Sequence, residues 1–197
     1  TISISETLMN HSVQQSKEIY GEFGNILYSA EKYQESLNLN DNIVTCFDES
    51  NGIHAGTITT LKQTKQNDET IVIGYMDDTA QNLAHVKIKE GTMPEKENEI
   101  ALTFSANYRL GLYQIGDSIT IDNIQYRLSG IVSDYSAVWS KPENDSQHLF
   151  PNMLVSYSAA KKYNGSLYVD LLLENSYFPP SDLYYTIPDL IQNVNLI

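Results

Sequence analysis

The sequence predicts an α+β fold in which short strands predominate and a smaller β-rich part is inserted into a mixed α/β part. Apolar residues at helical spacing open the chain, and several runs rich in β-branched residues follow them. From residue 80 to residue 145 the pattern changes to short alternating segments, which glycine and polar turns separate. We therefore expect residues 1–79 and 146–197 to form a mixed α/β part, and residues 80–145 to form the inserted β-rich subdomain.

The N-terminal half opens with a rough helical stripe. Ile2, Met9, Val13 and Tyr20 are apolar in a mostly polar stretch, which predicts a helix over residues 2–20. Beyond this helix the β-branched and apolar runs predict mainly strands. In chain order the further elements are a strand over 23–30, a short helix over 31–38, strands over 42–48 and 54–63, a polar loop over 64–69 and a strand over 70–76.

The second half alternates short strands with short helices. Ser105 can cap a helix that ends near Gly111. Clean alternation on both sides of Asp122 and Asn123 predicts a β-hairpin with a tight polar turn at those two residues. The strands and remaining elements are predicted over 86–91, 99–103, 117–123 and 124–135, then a strand and a helix over 152–163, a strand over 166–175 and the start of a helix near Pro188.

The composition excludes several classes of protein. The chain of 197 residues has a net charge of −13, from 25 acidic and 12 basic residues, so it repels phosphate backbones and nucleic acid is not an expected partner. No apolar run approaches the roughly 18 residues of a membrane span. The single cysteine, Cys46, lies in an apolar run that predicts a buried, inert thiol, and it argues against a disulfide-stapled secreted fold.

No pattern of reactive residues predicts an active site. No two of the four histidines are three or four residues apart, the spacing of helical metal ligands, so we expect no bound metal. The adjacent acids Asp77 and Asp78 lack the further oxygen ligands of a calcium loop and suit a turn or a helix N-terminus. The sequence has no phosphate-binding loop and no nucleophile motif, so neither a cofactor nor a catalytic residue is predicted.

The stretch from residue 90 to residue 134 is shaped by glycine and proline but holds no reactive group. It reads EGTMPEKENEIALTFSANYRLGLYQIGDSITIDNIQYRLSGIVSD, with a G-x-x-P loop, an E-I strand, a helix, a G-D turn and a hairpin in that order. This order resembles the extracytoplasmic domain of FtsX/MacB-type ABC-transporter permeases. The residues that carry the resemblance include Gly91, Pro94, Glu99, Ile100, Gly111, Gly116, Asp117 and Gly130.

The resemblance implies a porter-like fold and a non-enzymatic loop domain between two membrane helices of a permease. Such a domain lies at the extracellular face of the plasma membrane, and its full-length permease works with a cytoplasmic ATPase subunit. Its implied roles are partner recognition and mechanical coupling, with a peptide, a lipoprotein or a cell-wall-associated protein as partner. The helix over residues 2–20 would then continue the first membrane helix as a stalk.

Two other functions stay open at this point. A stand-alone extracellular carbohydrate- or peptide-binding module would use Trp139 and exposed tyrosines in a concave aromatic pocket. A hydrolase would assemble polar groups from distant parts of the chain in a deep pocket. In the permease interpretation, Trp139 and Tyr135 are the predicted partner-contacting residues, and both lie in the aromatic segment DYSAVWSKP.

Overall fold

The computed structural model describes residues 4–23, 25–29, 54–139, 149–165, 168–174 and 184–185. The helices of this part are α1 (Ile4–Tyr20), α2 (Asp78–Leu83), α3 (Phe104–Leu110) and α4 (Tyr157–Lys162). The strands are β1 (Asn25–Ser29), β2 (Ala55–Gln66), β3 (Glu69–Met76), β4 (Ile88–Gly91), β5 (Glu99–Thr103), β6 (Ser118–Ile121), β7 (Ile124–Val132), β8 (Met153–Val155), β9 (Tyr168–Leu173) and β10 (Tyr184–Tyr185).

All these strands join one mixed sheet, which confirms the predicted α+β class. The strand order is β10-β1-β9-β2-β3-β8-β5-β7-β4, and β6 pairs with β7 at the side of this path. The pairs β1–β10, β3–β8 and β5–β7 are parallel, and the other pairs are antiparallel. Strand β8 lies between β3 and β5, so it connects the first strands of the chain to those of the segment 80–145.

Apolar side chains cover both faces of the sheet. Along β5, Ile100 and Leu102 belong to one buried cluster and Ala101 to another, as alternation along a strand requires. All five residues of β5 are buried, as expected for a strand that is covered on both sides. Helix α2 contributes to the second cluster, whereas α3 and α4 contribute to the first, so the sheet forms the middle of three layers.

Helix α1 matches the predicted helix over residues 2–20. From His11 to Tyr20 its side chains are exposed, except that of Lys17, which is half-buried. Val13 is 49% exposed and Tyr20 is 55% exposed, so the two stripe residues whose side chains the structure describes are not part of the core. The described side chains of α1 therefore lie mainly at the surface, and the contacts between this part of the helix and the body lie near its C-terminal end.

Two local predictions were wrong. The polar tract 64–69, predicted as a loop, belongs mostly to β2 and β3, because a two-residue turn at Asn67 and Asp68 closes the hairpin with positive φ angles of 51° and 65°. The N-cap of α3 is Thr103 rather than Ser105, since the Ala106 amide donates to the Thr103 hydroxyl at 3.4 Å.

Other local predictions were correct. The hairpin of β6 and β7 turns at Asp122 and Asn123, with φ angles of 52° and 64°. Gly111 is the C-cap of α3. The helix over 31–38, the strand over 42–48 with Cys46 and the helix near Pro188 lie outside the described residues.

Candidate functional site

The first and last glycines of the motif face each other across two strands. Gly91 of β4 pairs with Gly130 of β7. A β-carbon on Gly91 would lie 2.1 Å from the Ser129 carbonyl oxygen, and one on Gly130 would lie 2.3 Å from the Thr92 carbonyl oxygen. Both distances are far inside van der Waals contact with rigid backbone atoms, so this pairing needs a residue without a side chain at both positions.

Glu99 closes the loop that follows Gly91. Its carboxylate accepts hydrogen bonds from the amides of Glu95 at 3.2 Å and Lys96 at 3.1 Å. The Lys96 ammonium and the Arg127 guanidinium lie 3.4 Å and 3.5 Å from its other oxygen. The Lys96 amide, followed by the Glu95 amide, holds the pKa of Glu99 below its usual value. Pro94 is half-buried in the same loop.

The G-D turn is built from backbone conformation and one carboxylate. Gly116 has a φ of +97°, and its amide donates to the Leu128 carbonyl at 2.8 Å. Asp117 accepts a hydrogen bond from the Gln114 amide at 2.8 Å. Ile100 is fully buried in the core beneath this region. The motif residues therefore shape backbone and packing, and their contacts are those of a rigid scaffold.

Helix α1 joins the body through a short segment, which we call the joint (Tyr20–Phe23). Gly21 has a φ of +92°, and the Glu22 amide donates to the Leu83 carbonyl at 2.6 Å. A β-carbon on Gly21 would lie only 2.7 Å from that same Leu83 oxygen. The chain therefore turns tightly against the end of α2 as it leaves α1.

Charged groups surround the joint. The Glu22 carboxylate pairs with the Lys17 ammonium and lies 3.0 Å from the His85 ring nitrogen. The hydrogen bond from Lys17, and then that from His85, lowers the pKa of Glu22. The Lys87 ammonium lies 3.4 Å from the Glu18 carboxylate. These pairs are solvent-exposed, so each adds orientation rather than much stability.

Trp139 ties the joint to the core. Its indole N–H donates to the Tyr20 carbonyl, the last of α1, at 3.0 Å. Its ring meets those of Phe23, Tyr135 and Phe150 edge-on, with centroids 5.0, 5.4 and 4.9 Å away. The contact with Tyr20 could not be predicted from the sequence, because Tyr20 lies 119 residues away from Trp139 along the chain.

Tyr135 supports this aromatic cluster from within. Its hydroxyl donates to the Pro151 carbonyl at 2.6 Å, and burial raises its pKa well above the usual value. Tyr135 is 4% exposed and Trp139 is 9% exposed, so both mainly pack. That they contact a partner stays a prediction. Trp139 also lines a cavity on the surface.

That cavity, which we call the cleft, has a volume of about 450 Å³. Its lining includes the aromatic and apolar residues Trp139, Phe150 and Leu149. Its other lining residues are mostly polar and include carboxylates. The further described residues that line it are Asp68, Glu69, Thr70, Val72, Thr103, Ser105, Arg109, Asp134, Ser136, Ala137 and Asn152.

The adjacent acids Asp77 and Asp78 lie at a helix N-terminus, one of the two settings that the sequence favoured. Asp77 is the N-cap of α2 and accepts hydrogen bonds from the Ala80 amide at 2.7 Å and from the amide and hydroxyl of Thr57. Burial raises the pKa of Asp77, while these donors lower it. Among the described residues, no group of three or more histidine, cysteine or acidic side chains is placed to hold a metal ion.

Comparison with known proteins finds the fold but no sequence relative. No protein-family model and no curated protein matches the chain. The periplasmic region of MacB from Actinobacillus actinomycetemcomitans superposes with a TM-score of 0.52 at 12% identity, over 86% of this chain and 82% of that one. The extracellular domain of the noncanonic ABC-type transporter YknZ from Gram-positive bacteria superposes with a TM-score of 0.54 at 10% identity. The match covers 87% of this chain and 95% of that one.

The chain has the fold of these two transporter domains. The resemblance that the Gly91–Gly130 motif carried is thereby confirmed at the level of the fold. In the part of the chain that the structure describes, no helix combines the length and the apolar character needed to cross a lipid bilayer.

Proposed function

We propose that this chain is the extracellular domain of an ABC-transporter permease, which recognises a partner and passes movement between that partner and the membrane. The observation that carries the proposal is the bond from Trp139, which lines the cleft, to the last carbonyl of α1. One side chain thus touches both a candidate recognition surface and the helix that would lead to the membrane.

The packing of α1 supports a coupling role. A helix whose described side chains are mostly exposed, and which bonds to the body near its C-terminal end, can transmit a tilt or a displacement to that body. The body is suited to receive this movement, because its sheet is continuous and its turns are fixed by glycine and capping contacts. In this proposal residues 1–79 and 146–197 form the membrane-proximal part, and residues 80–145 form the distal subdomain.

The proposal includes a cytoplasmic ATPase as the partner of the full-length permease, and no catalytic role for this domain. The likeness to the MacB and YknZ domains supports it through the fold alone. The alternative of a stand-alone peptide- or carbohydrate-binding module would also use the cleft. It gives no reason, however, for an exposed helix with its C-terminal end bonded to the aromatic cluster.

Location is the first test. A single cysteine placed on exposed β4 by Glu90→Cys, in a Cys46→Ser background, is expected to react with a membrane-impermeant maleimide on intact cells that express the full gene. The Cys46→Ser chain without the new cysteine is the control for background labelling. Reaction only after lysis would place the domain inside the cell and contradict the proposal.

Coupling is the second test. In membranes that hold the complete transporter, Trp139→Phe keeps an aromatic ring but removes the hydrogen bond to Tyr20, and it should change the rate of ATP hydrolysis. Tyr135→Phe removes a hydrogen bond of the same cluster that does not reach α1, and it should leave the rate near that of the wild type. Equal rates in all three proteins would argue against transmission through Trp139.

A further inference from the structure

The outward face of α3 is apolar. Phe104 is 53% exposed and Tyr108 is 63% exposed, and their spacing of four residues places them on one side of the helix. Leu112, 60% exposed, follows just beyond the helix in a left-handed conformation with a φ of 59°. We call these three residues the stripe. A surface helix normally presents polar residues to solvent. Three large apolar residues that are exposed at every fourth position therefore indicate a contact surface.

The stripe runs along the edge of the cleft. Ser105 and Arg109, each one residue beyond a member of the stripe, line the cleft. The inward face of α3 is fixed in the protein, with Ala106 and Leu110 buried. The helix therefore forms one wall of the cleft and presents the stripe on the adjoining outer surface.

The charge of the cleft is negative. Three carboxylates, those of Asp68, Glu69 and Asp134, line it, against one guanidinium among its described residues. That guanidinium, of Arg109, is already engaged by Glu69 at 2.8 Å. The whole chain carries a net charge of −13, so the field around the cleft reinforces the local sign.

We propose that the stripe and the cleft together bind a basic, amphipathic segment of a partner protein. Its apolar side would cover Phe104, Tyr108 and Leu112, and its lysine or arginine side chains would extend over Asp68 and Glu69. A second copy of this chain is disfavoured, because two chains of net charge −13 repel each other. This inference rests on the proposed function, of which it names the partner class.

The geometry suits such a segment. A cavity of about 450 Å³ admits a few side chains rather than a folded domain. The exposed stripe supplies the apolar contact that gives most of the affinity, and the carboxylates supply orientation and faster association. Binding should therefore depend on both parts and should weaken as salt screens the charges.

The sole tryptophan makes the binding measurable in the unmodified chain. Trp139 lines the cleft, so its emission reports occupancy of this site. A short synthetic peptide with lysine on one helical face and leucine on the other should shift that emission and bind in calorimetry. Glu/Leu and Lys/Ser peptides of the same pattern are the controls for the two sides of the interaction.

Two sets of variants locate the binding. Tyr108→Ser, with the exposed Val13→Ser of α1 as its control, should weaken binding of the Lys/Leu peptide about tenfold. Asp68→Asn with Glu69→Gln should weaken it about threefold to tenfold at low salt. The control pair, Glu90→Gln with Glu95→Gln, also removes two negative charges, but outside the cleft. It should change the affinity for the Lys/Leu peptide less than twofold.

Several results would overturn the inference. These are no binding of the Lys/Leu peptide, equal binding of either control peptide, or unchanged affinity in the stripe and cleft variants. Concentration-dependent self-association that Tyr108→Ser abolishes would assign the stripe to a second copy of the chain. If Glu90→Cys reacts with the maleimide on intact cells but the domain does not bind the Lys/Leu peptide, this inference alone is rejected. If the domain binds the peptide but Glu90→Cys reacts only after lysis, the proposed function alone is rejected.

Discussion

Two regions of this molecule differ in how much side-chain contacts contribute to holding them. The scaffold around Gly91 and Gly130 is fixed by backbone atoms that approach too closely for any side chain. The joint next to α1 has one close backbone approach, at Gly21, and otherwise depends on side-chain contacts, chiefly those of Trp139 and Glu22. If α1 moves as the proposed function requires, the difference places that movement at the joint rather than in the scaffold.

The largest effect should come from breaking the scaffold. Gly130→Ala would place a methyl group 2.3 Å from the Thr92 carbonyl oxygen, and we expect it to lower the free energy of unfolding by about 3 kcal/mol. Gly111→Ala is the matched control, since its β-carbon meets nothing within 4 Å and only its φ of +126° is unfavourable. Chemical denaturation measures both, and equal losses would contradict the crowding argument.

A second substitution in the scaffold separates backbone conformation from crowding. A β-carbon at Gly116 would meet only the Arg127 guanidinium, at 3.9 Å, so space is available there. Its φ of +97° still disfavours a β-branched residue, and Gly116→Val should cost about 1–3 kcal/mol. An unchanged melting temperature would show that the turn adapts to a negative φ.

The joint should respond locally rather than globally. Trp139→Phe removes the hydrogen bond to Tyr20 and part of the packing in the aromatic cluster, and the loss of stability should be about 1–2 kcal/mol. Amide hydrogen exchange at Gly21 and Glu22 should become faster, while exchange in β5 stays slow. Tyr135→Phe, which also removes one hydrogen bond, should leave exchange at the joint unchanged.

The smallest effect should be a pH-dependent one at Glu99. Its pKa is lowered in the folded protein, so its carboxylate stabilises the fold above its ordinary pKa, and this contribution is lost as the pH falls through the lowered value. Glu99→Gln should therefore melt below the wild type at neutral pH, and the difference should shrink as the pH falls through the lowered pKa of Glu99. A constant difference in melting temperature across this range would exclude the charge as its cause.

The sequence predicted best what depends on nearby residues. The turn at Asp122-Asn123, the C-cap at Gly111 and helix α1 all follow from local spacing, and all were correct. The loop predicted over residues 64–69 was wrong because the exposed end of a long hairpin can be as polar as a loop. Glu99 and the Lys96 amide are only three residues apart along the chain. The hydrogen bond by which Glu99 closes its own loop could therefore have been predicted from the sequence.

The joint and the cleft lay beyond the sequence for a physical reason. Trp139 and Tyr20 meet only because the sheet brings together segments 119 residues apart. The pairing of Gly91 with Gly130 depends in the same way on the register of β4 against β7. An apolar residue such as Tyr108 gives no local sign of whether it will be buried, and its exposure became evident only with the packing of α3.

The position of β9 in the sheet sets an order of events during synthesis. Strand β9 lies between β1 and β2, and β10 pairs with the other side of β1. Among the described strands, β1 therefore has no partner until residue 168 has left the ribosome, whereas β2 and β3 can pair within a short hairpin. The first strand to be made is among the last to be incorporated, and closing that long loop should limit the rate at which the domain matures.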